Sequence, residues 1–130
     1  MAGKSLRTPL ARVIHLGSAK DGTHHWWTQR ATAVALVPLA IWFVASLVSL
    51  AGADLAMLKA WLGRPLPALF MILFLGVGFF HLKLGLQVIV EDYVHEEGPK
   101  LVLLLASAFA CVLVGGAAIL AVLKLAFGGA

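Results

Sequence analysis

The chain has 130 residues and a formal net charge of +4; 62% of its residues are hydrophobic, 12% are charged and one is cysteine, and its mean hydropathy is +0.98. A water-soluble domain of this size needs far more polar surface to cover its core. Cys111 has no second cysteine to pair with, and nucleic-acid binding would require a basic face carrying a motif, which the sequence lacks.

The sparse charge is also segregated. No Asp, Glu, Lys or Arg occurs from Ala31 to Ala53, from Pro65 to Leu82 or from Leu101 to Leu123. Each stretch is close to the roughly 20 residues a helix needs to cross the ~30 Å hydrocarbon layer. A transmembrane barrel would instead show alternating segments of ~10 residues, and there are none. The fold expected is all-α, with three transmembrane helices at about residues 30–50, 65–94 and 100–127.

In chain order, residues 1–29 form a basic arm with scattered Gly, Ser and Thr, and a short helix is expected near Leu10–His15. The first apolar run follows this arm and resembles an uncleaved anchor more than a signal peptide, whose apolar core would sit near the start. Trp26 and Trp27 have the amphipathic rings that favour a membrane interface. Pro38 is a candidate kink in the first helix. The "AGAD" segment then breaks the pattern, and a short loop carries Lys59, Trp61 and Arg64. After the second helix, "HEEGP" reads as a turn, because Gly98 and Pro99 stop one helix and start another. Ser107, Gly115, Gly116 and many alanines suit the third helix to close packing in lipid, where Cys111 packs as a small apolar residue.

Lysine and arginine counts orient the spans. Lys4, Arg7, Arg12, Lys20, Arg30 and Lys100 fall on one side, against Lys59, Arg64 and Lys124 on the other. This bias predicts a cytoplasmic N-terminus and a periplasmic C-terminus. The lack of an Arg- and Ser-rich presequence points to a bacterial inner membrane. With one 30–127 membrane unit and little mass outside it, the chain is expected to work inside a larger assembly.

The chemistry concentrates on the second span. His81 lies 14 residues after Pro67 and 12 before Tyr93, or roughly 20 Å from either end at 1.5 Å per residue. An ionisable group at that depth is a functional candidate. At 100° per residue, Gly85, Val88 and Asp92 fall within roughly 40° of it, with Gly78 a little further round. A histidine between glycines suits a flat macrocycle bound through iron to imidazole. It equally suits close helix packing or a proton relay. If haem is bound by two histidines, the second must come from another chain, since His15, His24, His25 and His95 all lie outside or at the interface.

Asp92 and Tyr93 end this helix, where a phenol can donate to a quinone carbonyl and a carboxylate can orient it or pass protons; both types are also common at interfaces and loops. Arg30 opens the first helix on the same side. Its planar fork suits a carboxylate such as a haem propionate, and snorkelling to lipid headgroups is the competing role. The adjacent His24 and His25 lack the i, i+4 spacing of a helical zinc site. Lys83 lies about 200° from His81 and is expected to snorkel or to pair with a partner, while Glu91, Glu96 and Glu97 read as a solvated acidic turn.

Taken together, "HHWWTQRATAVAL" and the mid-helix "HLKLGLQVIVEDYVH" resemble the hydrophobic membrane anchor of succinate dehydrogenase, the D-type subunit of respiratory complex II. The resemblance covers the end of the arm, the first helix and most of the second. It implies a non-catalytic subunit in which His81 is an axial ligand of haem b, shared with a C-type cytochrome b anchor subunit. It further implies that Tyr93 contacts ubiquinone with Asp92 beside it, and that Arg30 and His24 lie near the haem propionates or the quinone. The implied partners are an iron–sulfur subunit and a flavoprotein subunit. A fumarate reductase anchor would use the same helices in reverse, and a haem-free structural anchor is the other alternative. A transporter would show inverted repeats or broken helices, which are absent.

Overall fold

The computed structural model describes residues 20–128; the short helix expected near Leu10–His15 lies outside them. Four helices follow one another: α1 (Lys20–Ser49), α2 (Leu55–Leu62), α3 (Pro65–Tyr93) and α4 (Glu97–Phe127). Among the described residues there is no strand. Three of the four, α1, α3 and α4, are long and apolar enough to span a bilayer.

Helix α1 begins ten residues before the expected start at residue 30. Its 30 residues extend about 45 Å, more than the ~30 Å hydrocarbon layer. The surplus is the polar segment through Gln29, which lacks an apolar period because it need not bury a stripe. Trp26 and Trp27 stand exposed on it, edge to face with centroids 5.2 Å apart. The hydroxyls along α1 are returned to its own carbonyls. Thr28 donates to His24, Ser46 to Trp42 and Ser49 to Ser46, each at 2.8 Å. Such back-bonding satisfies a hydroxyl where lipid offers no partner.

After α1 the chain reverses through Gly52, whose φ of +82° falls in the left-handed region that glycine adopts freely. The segment expected to be a loop carrying Lys59 and Trp61 is instead helix α2. Asp54 caps it, with its carboxylate accepting from the Met57 amide at 2.8 Å. Pro65 then sits at the first position of α3, where its missing N–H costs nothing. The turn expected at "HEEGP" is shorter than the motif. Glu97, Gly98 and Pro99 are already the first turn of α4, where proline is tolerated and Glu97 faces the positive end of the helix dipole.

Helix α3 is the centre of the bundle. It packs against α1 on one side and α4 on the other, while α1 and α4 do not pack on each other. Short α2 lies across the far end, against α3 and α4. Against α1 the contact is aromatic: Phe43 stacks on Phe74 at 4.5 Å and Trp42 meets Phe70 at 5.3 Å, while Trp42 also stacks on Trp61 of α2 at 5.8 Å. Against α4 it is a ring on a glycine, with Phe79 resting on buried Gly115. The core is thin, consisting of Leu62, Ala68, Leu84, Cys111 and Val122. Large apolar side chains such as Val34, Val48 and Val112 are 70% exposed or more. Helices apolar all round are built for lipid or for neighbouring chains. The chain is a multi-pass integral membrane protein.

A methyl added at Gly115 would lie 2.9 Å from Phe79 Cγ and 3.1 Å from its Cβ, whereas one at Gly116 meets nothing within 4 Å. Gly115→Ala is therefore expected to destabilise α3–α4 packing by about 1–3 kcal/mol. Gly116→Ala should stay within about 0.5 kcal/mol. Thermal unfolding of the detergent-solubilised protein compares the two.

Candidate functional site

His81 sits in the middle of α3 and is half-buried against α1. Its ring reaches two side chains one helical turn apart on that neighbour. Nδ1 lies 2.8 Å from Thr32 Oγ1, and Nε2 lies 3.5 Å from Gln29 Nε2. The second contact is at the outer limit of a hydrogen bond. The opposite atom of the same amide, Gln29 Oε1, is buried without a partner, as is His25 Nε2. Neither Thr32 nor Gln29 could be assigned from spacing, since the contact depends on how two helices are rotated against each other.

The glycines beside His81 turn out to face α1. A methyl at Gly78 would touch Leu36 Cδ2 at 3.9 Å, and one at Gly85 would touch Gln29 Nε2 at 3.7 Å. Within this chain, the surface expected to receive a flat macrocycle is covered by side chains of α1.

Above His81, a cleft of about 610 Å³ opens between the start of α1 and the end of α3. It is lined by His24, His25 and Gln29 from α1 and by Lys83, Gln87 and Glu91 from α3. The three α3 side chains form a ladder at i, i+4 and i+8. Lys83 Nζ donates to Gln87 Oε1 at 3.3 Å, and Gln87 Nε2 donates to Glu91 Oε1 at 2.9 Å. Lys83 thus extends toward the helix end, as a snorkelling lysine does. Glu91, expected in a solvated turn, is helical and closes this ladder.

The other sequence candidates lie at the same end of the bundle but are not gathered into one pocket. Asp92 is exposed, and Tyr93 at the tip of α3 is 80% exposed. Both turn away from this chain's own interior. The Arg30 guanidinium lies over the Trp26 ring, 5.3 Å from its centroid, and His24 is exposed at the cleft edge. Among the described residues no group of three or more His, Cys, Asp or Glu could hold a bare metal ion.

Comparison with known proteins decides the family. The succinate dehydrogenase/fumarate reductase transmembrane subunit family matches residues 4–115. The chain belongs to this family. A succinate dehydrogenase hydrophobic membrane anchor subunit from Paracoccus denitrificans is 33% identical over 110 residues, 85% of each chain. One of the same name from Rickettsia bellii is 32% identical over 88 residues, 68% of this chain and 70% of the relative. The membrane anchor subunit from Reclinomonas americana is 28% identical over 94 residues, covering 70% of this chain and 78% of that one. No solved structure matches. As a member of this family the chain is a succinate dehydrogenase anchor, a non-catalytic subunit that works beside the other subunits of its complex in the membrane.

The glycine face has room for alanine. Both added methyls would make ordinary van der Waals contact, so Gly78→Ala and Gly85→Ala are expected to cost less than about 0.5 kcal/mol in thermal unfolding. A larger loss in the complete complex would mean that a group from outside this chain presses on that face.

Proposed function

We propose that this anchor subunit co-ligates haem b through His81 and forms one wall of a ubiquinone-reduction site near Tyr93. The observation that carries the reading is a histidine at the centre of a membrane-spanning helix in a chain of this family. A polar ring at that depth is costly to keep and marks function. His24 and His25 lie in the first turns of α1 and His95 in the α3–α4 linker, so His81 is the single histidine at depth among the described residues. The second axial ligand then comes from a partner, a C-type cytochrome b anchor subunit. The open flanks of α1 and α4 leave room for such a chain.

The residues fit a haem ligand. The contact at Nε2 is a long one to a flexible amide whose other end has no partner, so Gln29 yields its place at little cost. Haem, when bound, supplies a one-electron store beside the quinone. The chain's own residues do the rest. Tyr93 donates its phenolic hydrogen to a quinone carbonyl, and the adjacent Asp92 carboxylate takes protons from the water boundary. Quinone reduction consumes two electrons and two protons, which suits acid–base groups at the edge of the bilayer. Arg30, held over Trp26, offers its fork to a propionate or to the quinone, with His24 nearby on the same helix.

The electrons come from an iron–sulfur subunit and, behind it, a flavoprotein subunit that oxidises succinate. Both dock at the end of the bundle where α1 begins. By the excess of Lys and Arg there, that end is cytoplasmic and the C-terminus periplasmic, in a bacterial inner membrane.

Reduced-minus-oxidised visible spectra of the purified complex test the haem assignment. A b-type band is expected in the wild type and should be lost or shifted in His81→Leu; an unchanged band in the variant contradicts it. In Tyr93→Phe, quinone reduction should fall about tenfold, the equivalent of one lost hydrogen bond of roughly 1.4 kcal/mol. Succinate oxidation by a soluble dye should be untouched. Equal loss of both activities would remove Tyr93 from the quinone site.

A further inference from the structure

The Thr32 hydroxyl is in contact with three polar atoms at once. It lies 2.8 Å from the Thr28 carbonyl oxygen, 3.0 Å from that of Gln29 and 2.8 Å from His81 Nδ1. A hydroxyl has one proton to donate and two lone pairs. Carbonyl oxygens only accept, so the proton must point toward them. Without it, oxygen lone pairs would face each other at these distances. A hydroxyl that donates to these carbonyls presents a lone pair to the imidazole, and that lone pair is matched when Nδ1 is the nitrogen that carries hydrogen. A neutral imidazole has one N–H, which leaves Nε2 with its lone pair bare.

We propose that Thr32 is the positioning residue of the haem site: it fixes His81 in the Nδ1–H tautomer and aims Nε2 at the iron. This rests on the reading of His81 as an axial ligand. The hydrogen bond at the far nitrogen of a ligating histidine sets both its tautomer and its basicity. Donation from Nδ1–H to Thr32 makes Nε2 a stronger donor, which stabilises ferric over ferrous iron and lowers the haem potential. Because the Thr32 proton is anchored on backbone carbonyls of α1, the arrangement cannot reverse without giving up both contacts. Each element is local to this chain, whichever protein supplies the opposite ligand.

The test uses the complete complex carrying Thr32→Val, which keeps the shape and removes the acceptor, beside Thr32→Ser, which keeps the hydroxyl. Haem content, midpoint potential and the low-spin ferric resonance spectrum are read for each. In Thr32→Val the potential should rise, by about 59 mV for each tenfold loss of ferric preference in this one-electron couple. Haem affinity should fall roughly 10- to 100-fold. Thr32→Ser should match the wild type. A Thr32→Val complex with wild-type potential and resonance spectrum overturns the proposal, as does a Thr32→Ser complex as impaired as Thr32→Val. Should Thr32→Val not assemble, Thr32→Cys, whose sulfur is a weak acceptor, takes its place: a raised potential supports the proposal and an unchanged one overturns it. His81→Leu in the same series separates the two claims. Haem lost there with Thr32→Val unaltered removes only the role of Thr32, and haem retained there removes the ligand reading as well.

Discussion

Inside a bilayer no water is at hand to satisfy a polar group, and every donor or acceptor at depth must find its partner within the protein. That constraint organises this chain. Thr28, Thr32, Ser46, Ser49 and Ser107 return their hydroxyls to carbonyls of their own helices. Lys83 and Gln87 pass their hydrogens outward along α3 to Glu91 at the membrane edge. The polar contacts of His81 are made on the neighbouring helix. Its ring is served by Thr32 across the α1–α3 contact, and this bond ties the middle of α3 to α1 just inside the polar segment that ends at Gln29. A histidine that needs a second helix to hold it is also held in one orientation, which is what an axial ligand requires.

The same constraint explains why the fold is open. Helix α3 is flanked on two sides and α1 and α4 do not meet, so much of the apolar surface faces outward. A soluble three-helix protein could not tolerate this, since it would leave exposed patches well beyond what a monomer carries. In lipid the penalty disappears. What then drives association is close packing and polar contacts. An anchor subunit is a partial structure by design, and its open surfaces are left to lipid and to the other subunits of its complex.

Much of this was legible in the sequence, for reasons of scale. Charge-free runs near 20 residues specify spans regardless of detail, and one histidine in such a run is conspicuous. The misses came where the signal is local or lateral. The start of α1 lay in polar residues that extend beyond the lipid and so carry no apolar period. Helix α2 is only eight residues long, though its cap was present in Asp54, within the segment taken as a breaker. Gly98 and Pro99 mark the start of a helix, as their types suggest, but they lie inside its first turn, which tolerates proline, and not in the turn before it. The glycines around His81 were correctly placed on its face. What covers that face, Leu36 and Gln29, depends on the rotation of α1, which no spacing along one helix encodes. Thr32 was invisible for the same reason.

The most direct test of the account is a density map of the assembled complex in lipid, resolved well enough to place side chains around His81. A macrocycle is expected between this chain and a second anchor subunit, with the iron on His81 Nε2, the Thr32 hydroxyl still on Nδ1, and Gln29 swung aside. A map in which both axial ligands belong to the partner, or in which no macrocycle lies beside His81, would contradict it.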